Sequence, residues 1–329
     1  LESFKSFTRK LYSVNDTAFQ DIALELFQFQ ASSNPIYRAF IKHLGLSVSE
    51  INSVGQIPFL PISFFKTHLI QTEQWVPETI FTSSGTTKSG VSRHAVHDLQ
   101  FYLRHAVKCF EHFFGPVTNY HFLALLPSYL ERQDSSLIAM MDYFMRQSNS
   151  VDSAFYLNDY PGLVEKLGLL KNDTRKTILW GVSFALMDLA EKYTLDLGHC
   201  LVFETGGMKG KRREITKNEM SDVLRAKINV KSLFSEYGMT ELLSQAYSKN
   251  NNSFICPPWM RVICRDITDP QTKGLLSETG GINVIDLANW RTISFIETED
   301  LGKVYPDGSF EILGRLDNSD LRGCNLMIQ

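Results

Sequence analysis

The sequence predicts an α/β fold: a mostly parallel sheet flanked by helices, joined to a smaller β-rich subdomain. Two observations carry this expectation. Unbroken apolar runs of strand length alternate with segments of helical periodicity as far as about residue 254, the pattern of strands covered on both faces. From about residue 255 the pattern changes to short strands and turns. The predicted division is therefore 1–254 and 255–329, a reasonable partition for 329 residues.

Residues 1–56 are helical in pattern. Apolar residues recur at helical spacing over 16–29, and Asn34-Pro35 starts a further helix that runs into His43. In Ile57-Pro-Phe-Leu-Pro-Ile-Ser-Phe-Phe65 two prolines interrupt an aromatic run, which predicts an extended segment and then a short helix or loop. Helices are expected over 101–114, 135–146, 184–193 and 219–227. Strands are expected over 120–126, 177–181, 201–205 and 230–234 in the first part, and over 260–264, 281–286, 292–297 and 308–313 in the second.

Composition narrows the function classes. The formal net charge is -3 and the basic residues are dispersed. The one dense run, Lys209-Gly-Lys-Arg-Arg213, is too short for a nucleic-acid channel. Cys109, Cys200, Cys256, Cys264 and Cys324 lack metal-ligand spacing, so they are expected to be free thiols in a reducing, cytoplasmic compartment. No stretch reaches the ~18 uncharged apolar residues that a transmembrane helix needs. The start at Leu1 is expected to leave upstream residues out.

Three segments could carry chemistry. Phe81-Thr-Ser-Ser-Gly-Thr-Thr-Lys-Ser-Gly90 clusters hydroxyls, glycine and a lysine, so that N–H groups, hydroxyls and Lys88 could converge on an anion. It lacks the order of a Walker loop, and composition alone fits a surface loop equally well. In Leu233-Phe-Ser-Glu-Tyr-Gly-Met-Thr-Glu241, Thr240 and Glu241 are expected to open a helix after a strand, at the sheet edge where ligands of open α/β sheets bind. Glu241 could hold Mg²⁺ against phosphates, and Tyr237 could offer a flat face to a base. A plain strand–turn–helix junction with an acidic first turn would read the same way. In Glu299-Asp-Leu-Gly302 and the segment after it, Asp300 could bind a vicinal diol and Arg315 an anion; alone, this stretch is a hairpin and a charged turn.

The order and spacing of these segments resemble the adenylate-forming superfamily of acyl-CoA synthetases, firefly-type luciferases and non-ribosomal adenylation domains. Thr82-Ser-Ser-Gly-Thr-Thr-Lys-Ser-Gly90 resembles its phosphate-binding loop, Tyr237-Gly-Met-Thr-Glu241 its nucleotide and magnesium motif, and Gly314-Arg-Leu-Asp317 its arginine-bearing segment before the hinge. Within the superfamily the sequence is most similar to the LuxE-type acyl-protein synthetases. That similarity runs through Pro58-Phe-Leu-Pro-Ile-Ser-Phe-Phe-Lys66, Glu204-Thr-Gly-Gly-Met-Lys209 and Arg322-Gly-Cys324.

The resemblance implies the large N-terminal body of the superfamily, without its C-terminal lid domain. It implies ATP and Mg²⁺ as cofactors and a carboxylic acid, of the fatty class, as substrate. Separately, Leu123 to Leu126, the Met140-Met141 face and Gly206-Gly207 could line an apolar channel compatible with a medium or long acyl chain, though such stripes also fit plain core. The nucleotide residues the resemblance implies are Thr82, Ser83, Ser84, Gly85, Thr86, Thr87, Lys88, Gly206, Gly207, Tyr237, Gly238, Thr240, Asp300 and Arg315, with Glu241 on the metal. Lys88 would act on the phosphates and Arg315 on a phosphate or ribose oxygen, and Cys324 would accept the acyl group as a thioester. The implied partner is an acyl-reductase or other acyl-accepting protein. In the phenylacetate–CoA ligase-like alternative the acceptor is coenzyme A, and a non-catalytic nucleotide-binding scaffold is a second alternative.

Overall fold

The structure is a computed structural model that describes residues 4–83, 90–127, 134–206, 217–249, 253–269 and 272–316. Helices α1 (Phe4–Tyr12), α2 (Asp16–Ser33) and α3 (Pro35–His43) open the chain. The Asn15 side chain caps α2 by accepting from the Ala18 N–H at 2.9 Å. Asn34 ends α2 and caps α3, accepting from the N–H groups of Ile36 and Tyr37, while Pro35 fits the first helical turn. A short extended piece, β1 (Leu60–Pro61), precedes the one-turn helix α4 (Phe64–Thr67), as the paired prolines predict.

Next come the hairpin strands β2 (Thr79–Thr82) and β3 (Arg93–Val96), then α5 (Leu99–Phe114), β4 (Tyr120–Leu125), α6 (Ser136–Ser148), β5 (Ala154–Phe155) and α7 (Tyr160–Leu169). The chain continues as β6 (Lys176–Val182), α8 (Ser183–Lys192), β7 (Leu201–Thr205), α9 (Lys217–Ile228) and β8 (Ser232–Tyr237). It closes with β9 (Ala246–Lys249), β10 (Ser253–Ile255), β11 (Met260–Arg265), β12 (Gly280–Asp286), β13 (Phe295–Val304) and β14 (Phe310–Arg315).

Twelve of these strands form one sheet, in the order β5-β4-β6-β7-β8-β9-β10-β14-β13-β12-β11, with β1 beside β13. Pairing is parallel from β5 to β8 and antiparallel from β8 through to β11. The result is the expected α/β architecture, a large sheet flanked by helices. The parallel half holds the aromatic core. Trp180, Phe203 and Phe234 are register neighbours on three adjacent strands, so their rings stack at 4.6 and 4.8 Å. Phe110 and Phe114 of α5 and Phe144 of α6 cover that face. Such pairs add roughly 0.5–1.5 kcal/mol each beyond area burial. On the other face α8 closes so tightly that a Cβ at Gly181 would lie 2.8 Å from Leu186.

Two buried amides dock the N-terminal helices on the segment between β12 and β13. Gln30 donates to the carbonyls of Asn289 and Trp290 and accepts from the Ser294 N–H. Asn34 donates to the Thr292 carbonyl at 3.0 Å. Leaving either amide unpaired would cost about 1–3 kcal/mol, so this contact is specific in geometry.

Candidate active site

The hydroxyl-rich loop is carried by the β2–β3 hairpin, whose register pairs Thr82 with Arg93. At its base the Ser83 N–H donates to the Ser92 carbonyl at 3.1 Å, and the Ser92 N–H donates to the Ser83 hydroxyl at 3.0 Å. Thr82 bonds Asp134 through both its N–H and its hydroxyl. These bonds hold the two ends of the loop together. Residues 84–88, including Lys88, lie outside the described residues.

Three of the predicted residues, far apart in sequence, meet. The Tyr237 hydroxyl at the end of β8 donates to Asp300 Oδ2 at 2.8 Å, and Arg315 Nε stands 3.5 Å from Asp300 Oδ1. The cause is pairing of β13 with β14, which sets Asp300 opposite Arg315. The Tyr237 ring is buried, with Phe310 at 5.2 Å and Phe254 at 5.7 Å. Burial raises the Asp300 carboxyl above the usual carboxylate range, while the Tyr237 hydrogen bond and the Arg315 charge oppose the rise. Arg315 is largely exposed and also lies 3.9 Å from Glu299, which approaches Lys66 at 3.7 Å on its other oxygen.

Beyond Tyr237 the structure corrects the sequence expectation. Thr240 and Glu241 do not open a helix; they form a turn that leads into β9, antiparallel to β8. The N–H groups of Leu243 and Ser244 donate to Asp286 Oδ2 at 2.8 and 2.9 Å, so a side chain from β12 satisfies donors that a helix would have used. Two further bonds hold the turn. His94 Nδ1 meets the Thr240 carbonyl at 2.7 Å, and Asn289 Nδ2 donates to the Glu241 carbonyl at 2.8 Å. Glu241 is buried, and burial raises its carboxyl, opposed chiefly by the nearby Ser92 side chain. Arg315 and Asp300 both act on it electrostatically, in opposite directions.

Gly238 sits beside the Glu236 carboxylate. A Cβ at that position would lie 2.1 Å from Glu236 Oε1, so the Glu236 carboxylate occupies the space beside it. Glu236 also accepts from the Thr205 hydroxyl on the neighbouring strand. Burial chiefly, with Glu204 adding to it, raises Glu236 to about 7, against Thr205 and Lys217. Glu204 Oε1 accepts from Ser183 at 2.5 Å and its other oxygen lies 3.7 Å from Lys217. Gly206 takes φ +66°, and its carbonyl accepts from the same Ser183 hydroxyl. Gly207 and Cys324 lie outside the described residues.

Sequence reasoning did not single out Ser92, His94, Asn289, Thr205 or Glu236. Leu123, Ala124, Leu125, Leu126, Met140 and Met141, which could line an apolar channel, are all part of the buried core. Burial pushes the thiols of Cys109 and Cys200 up to about 12, in keeping with structural cysteines.

The donor chemistry fits magnesium bound together with a nucleotide. Glu241 offers a buried carboxylate, and among the described residues no basic side chain is paired with it. Among the described residues no group of three or more His, Cys, Asp and Glu could hold a metal ion. A hard cation at Glu241 would therefore take its other ligands from phosphate and water, the usual manner for Mg²⁺. Among the described residues no helix is long and apolar enough to cross a membrane.

No protein-family model matches the sequence, and no curated protein does. Solved structures do match its fold. An open conformation of 2-hydroxyisobutyryl-CoA ligase, in complex with 2-HIB-AMP and CoA, superimposes with a TM-score of 0.68 at 13% identity, covering 92% of this chain and 75% of that one. ATP-bound MatB from Rhodopseudomonas palustris gives 0.55 at 17% identity, covering 72% of this chain and 47% of that one. An ATP-bound chimera of MatB, RpMatB-BxBclM B3, gives 0.56 at 16%, covering 74% and 49%. This chain thus spans about half the length of the MatB structures it matches. At these identities the likeness is one of fold: the chain shares the fold of part of these ligase structures.

Proposed function

We propose that this protein activates a carboxylic acid with ATP to an acyl-adenylate and then passes the acyl group to a thiol. The observation that carries this reading is the meeting of Tyr237, Asp300 and Arg315, with Glu241 close enough to feel the charges of both Asp300 and Arg315. Residues spread over 78 positions, from Tyr237 to Arg315, converge where a ribose diol, a triphosphate and a cation could share one site. The fold likeness to ligases solved with ATP, or with an acyl-AMP and CoA, supports the same chemistry.

Asp300, its Oδ2 held by Tyr237, accepts from the ribose hydroxyls. Arg315 is exposed enough to turn from Asp300 and Glu299 to a phosphate or ribose oxygen. The loop from Ser83 to Lys88, including Ser84, Gly85, Thr86 and Thr87, cradles the pyrophosphate, and Gly206, Gly207, Gly238 and Thr240 line the nucleotide side. Glu241 would hold Mg²⁺, which when bound would supply charge neutralisation on the phosphate oxygens. The substrate carboxylate attacks the α-phosphorus in line, forming the acyl–oxygen–phosphorus bond as pyrophosphate leaves. A thiolate then attacks the acyl carbonyl and AMP departs.

Cys324 is the proposed acceptor, which makes the protein a LuxE-like acyl-protein synthetase that hands a fatty acyl group to an acyl-reductase or similar partner. Division at residue 254 and a cytoplasmic setting belong to the same reading. Coenzyme A is the competing acceptor, and the CoA bound in the 2-hydroxyisobutyryl-CoA ligase structure favours that second reading. Intact-protein mass spectrometry after incubation with Mg-ATP and a panel of fatty and aromatic acids separates them. A hydroxylamine-labile acyl adduct that disappears in Cys324→Ala is the expected result. Pyrophosphate release without an adduct, and turnover that requires CoA, would establish the CoA ligase instead. Absence of pyrophosphate release with every acid would overturn the enzymatic reading.

A further inference from the structure

We propose that His94 is a positioning residue for Glu241, locking the hairpin that carries the hydroxyl-rich loop to the turn that carries the proposed magnesium ligand. The proposal rests on that reading of Glu241. His94 sits on β3 and is 1% exposed, so its ring has no access to solvent hydrogen bonds. Its Nδ1 is 2.7 Å from the Thr240 carbonyl, and its Nε2 is 3.2 Å from the Thr292 hydroxyl. A carbonyl can only accept, so the proton must be on Nδ1. Nε2 is then bare and accepts from Thr292. Both ring nitrogens are thereby satisfied in the neutral form with the proton on Nδ1. Burial agrees, holding the imidazole down to about 4, with Thr240 opposing.

One ring thus joins three segments that lie far apart in the chain: the hairpin, the Thr240–Glu241 turn and the connection between β12 and β13. Neighbouring bonds reinforce the same geometry. Asn289, three residues before Thr292, donates to the Glu241 carbonyl at 2.8 Å, and the N–H of Ser92, two residues from His94, donates to the Ser83 hydroxyl at 3.0 Å. The connecting segment is itself clamped by Gln30 and Asn34. The turn lacks a helix to hold it, so side-chain bonds from outside must fix the carboxylate relative to the loop. A misplacement on the order of 1 Å at such a group can cost about a hundredfold in rate.

The two amide replacements of histidine separate this role from mere filling of space. Asn places its amide near the position of Nδ1, and Gln places it near that of Nε2. His94→Asn keeps a donor for the Thr240 carbonyl; His94→Gln loses it while keeping a polar group towards Thr292. Both are compared with wild type and Glu241→Gln in acid-dependent pyrophosphate release as a function of Mg²⁺ concentration and in ATP-dependent Mn²⁺ binding read by electron paramagnetic resonance, with folding checked by circular dichroism. In His94→Gln the half-saturating Mg²⁺ concentration should rise about tenfold, the loss expected for one net hydrogen bond, while His94→Asn stays within about threefold of wild type. Equal impairment of the two variants, or a wild-type Mg²⁺ dependence in His94→Gln, would overturn the positioning role. If wild type releases no pyrophosphate, or Glu241→Gln leaves the Mg²⁺ dependence unchanged, the reading of Glu241 fails instead, and the two failures are distinguishable.

Discussion

Replacing Tyr237 by Phe removes one hydroxyl and tests whether Asp300 is held as a carboxylate. The phenol donates to Asp300 Oδ2 at 2.8 Å, and Asp300 is only 9% exposed. A hydrogen bond to an ionised partner contributes about 1.5–3 kcal/mol, and one between neutral partners about 0.5–1.5 kcal/mol. The pH dependence follows from the direction of the shift. Burial raises the folded-state pKa of Asp300 above its unfolded value. The stability this contributes is therefore fully present below the ordinary carboxylate range and is lost as pH rises through the raised value. Tyr237 holds that value down. Without its hydroxyl the rise is larger, and each further unit costs about 1.4 kcal/mol at pH above both values. Urea unfolding should thus show Tyr237→Phe destabilised by about 1 kcal/mol at pH 4 and by about 2 kcal/mol or more at pH 8. On the proposed function, weaker ATP binding, measured by calorimetry, should accompany it, because Asp300 would lose its orientation towards the proposed ribose position. A stability penalty that is the same at both pH values, or absent, would refute the reasoning that a charged, buried Asp300 is tied to Tyr237.

Glu236, raised to about 7 mainly by burial, should make stability fall between pH 6 and pH 8 by about 1.4 kcal/mol, since the neutral form favoured by the fold is lost over that window. Glu236→Gln should abolish this slope in urea unfolding, and an unchanged slope would assign the titration to another group. Gly281→Ala would set a Cβ 2.4 Å from the guanidinium carbon of Arg265, a buried side chain bonded to the carbonyls of Ile282 and Thr298 and to Asn283. Overpacking of that kind should destabilise by about 1–3 kcal/mol, read as a lower urea midpoint at unchanged slope.

The helices and most strands were legible because they are local. Apolar runs over 120–126, 177–181 and 201–205 predict β4, β6 and β7 to within a residue or so, and Asn34-Pro35 marks the start of α3 by cap chemistry. Strand β13 runs over Phe295–Val304, later and longer than the predicted 292–297, because Thr292 and Ser294 are held by the amides of Asn34 and Gln30 rather than by a ladder. The β2–β3 hairpin was missed: its four-residue strands flank a loop whose composition dominates the local pattern.

The sequence by itself determined the α/β class, the order of the chemistry-bearing segments and the residue types available to bind phosphate, diol and cation. Those follow from periodicity and composition, which act over a few residues. Only the tertiary structure decided that Tyr237, Asp300 and Arg315 touch, that His94 and Asn289 pin the Glu241 turn, and that a turn rather than a helix follows Gly238. Asp286 decides the last point from 42 positions beyond Ser244 by taking its N–H. Such bonds depend on which buried donors and acceptors the fold brings together. Hydrophobic spacing along the chain carries no information about that pairing.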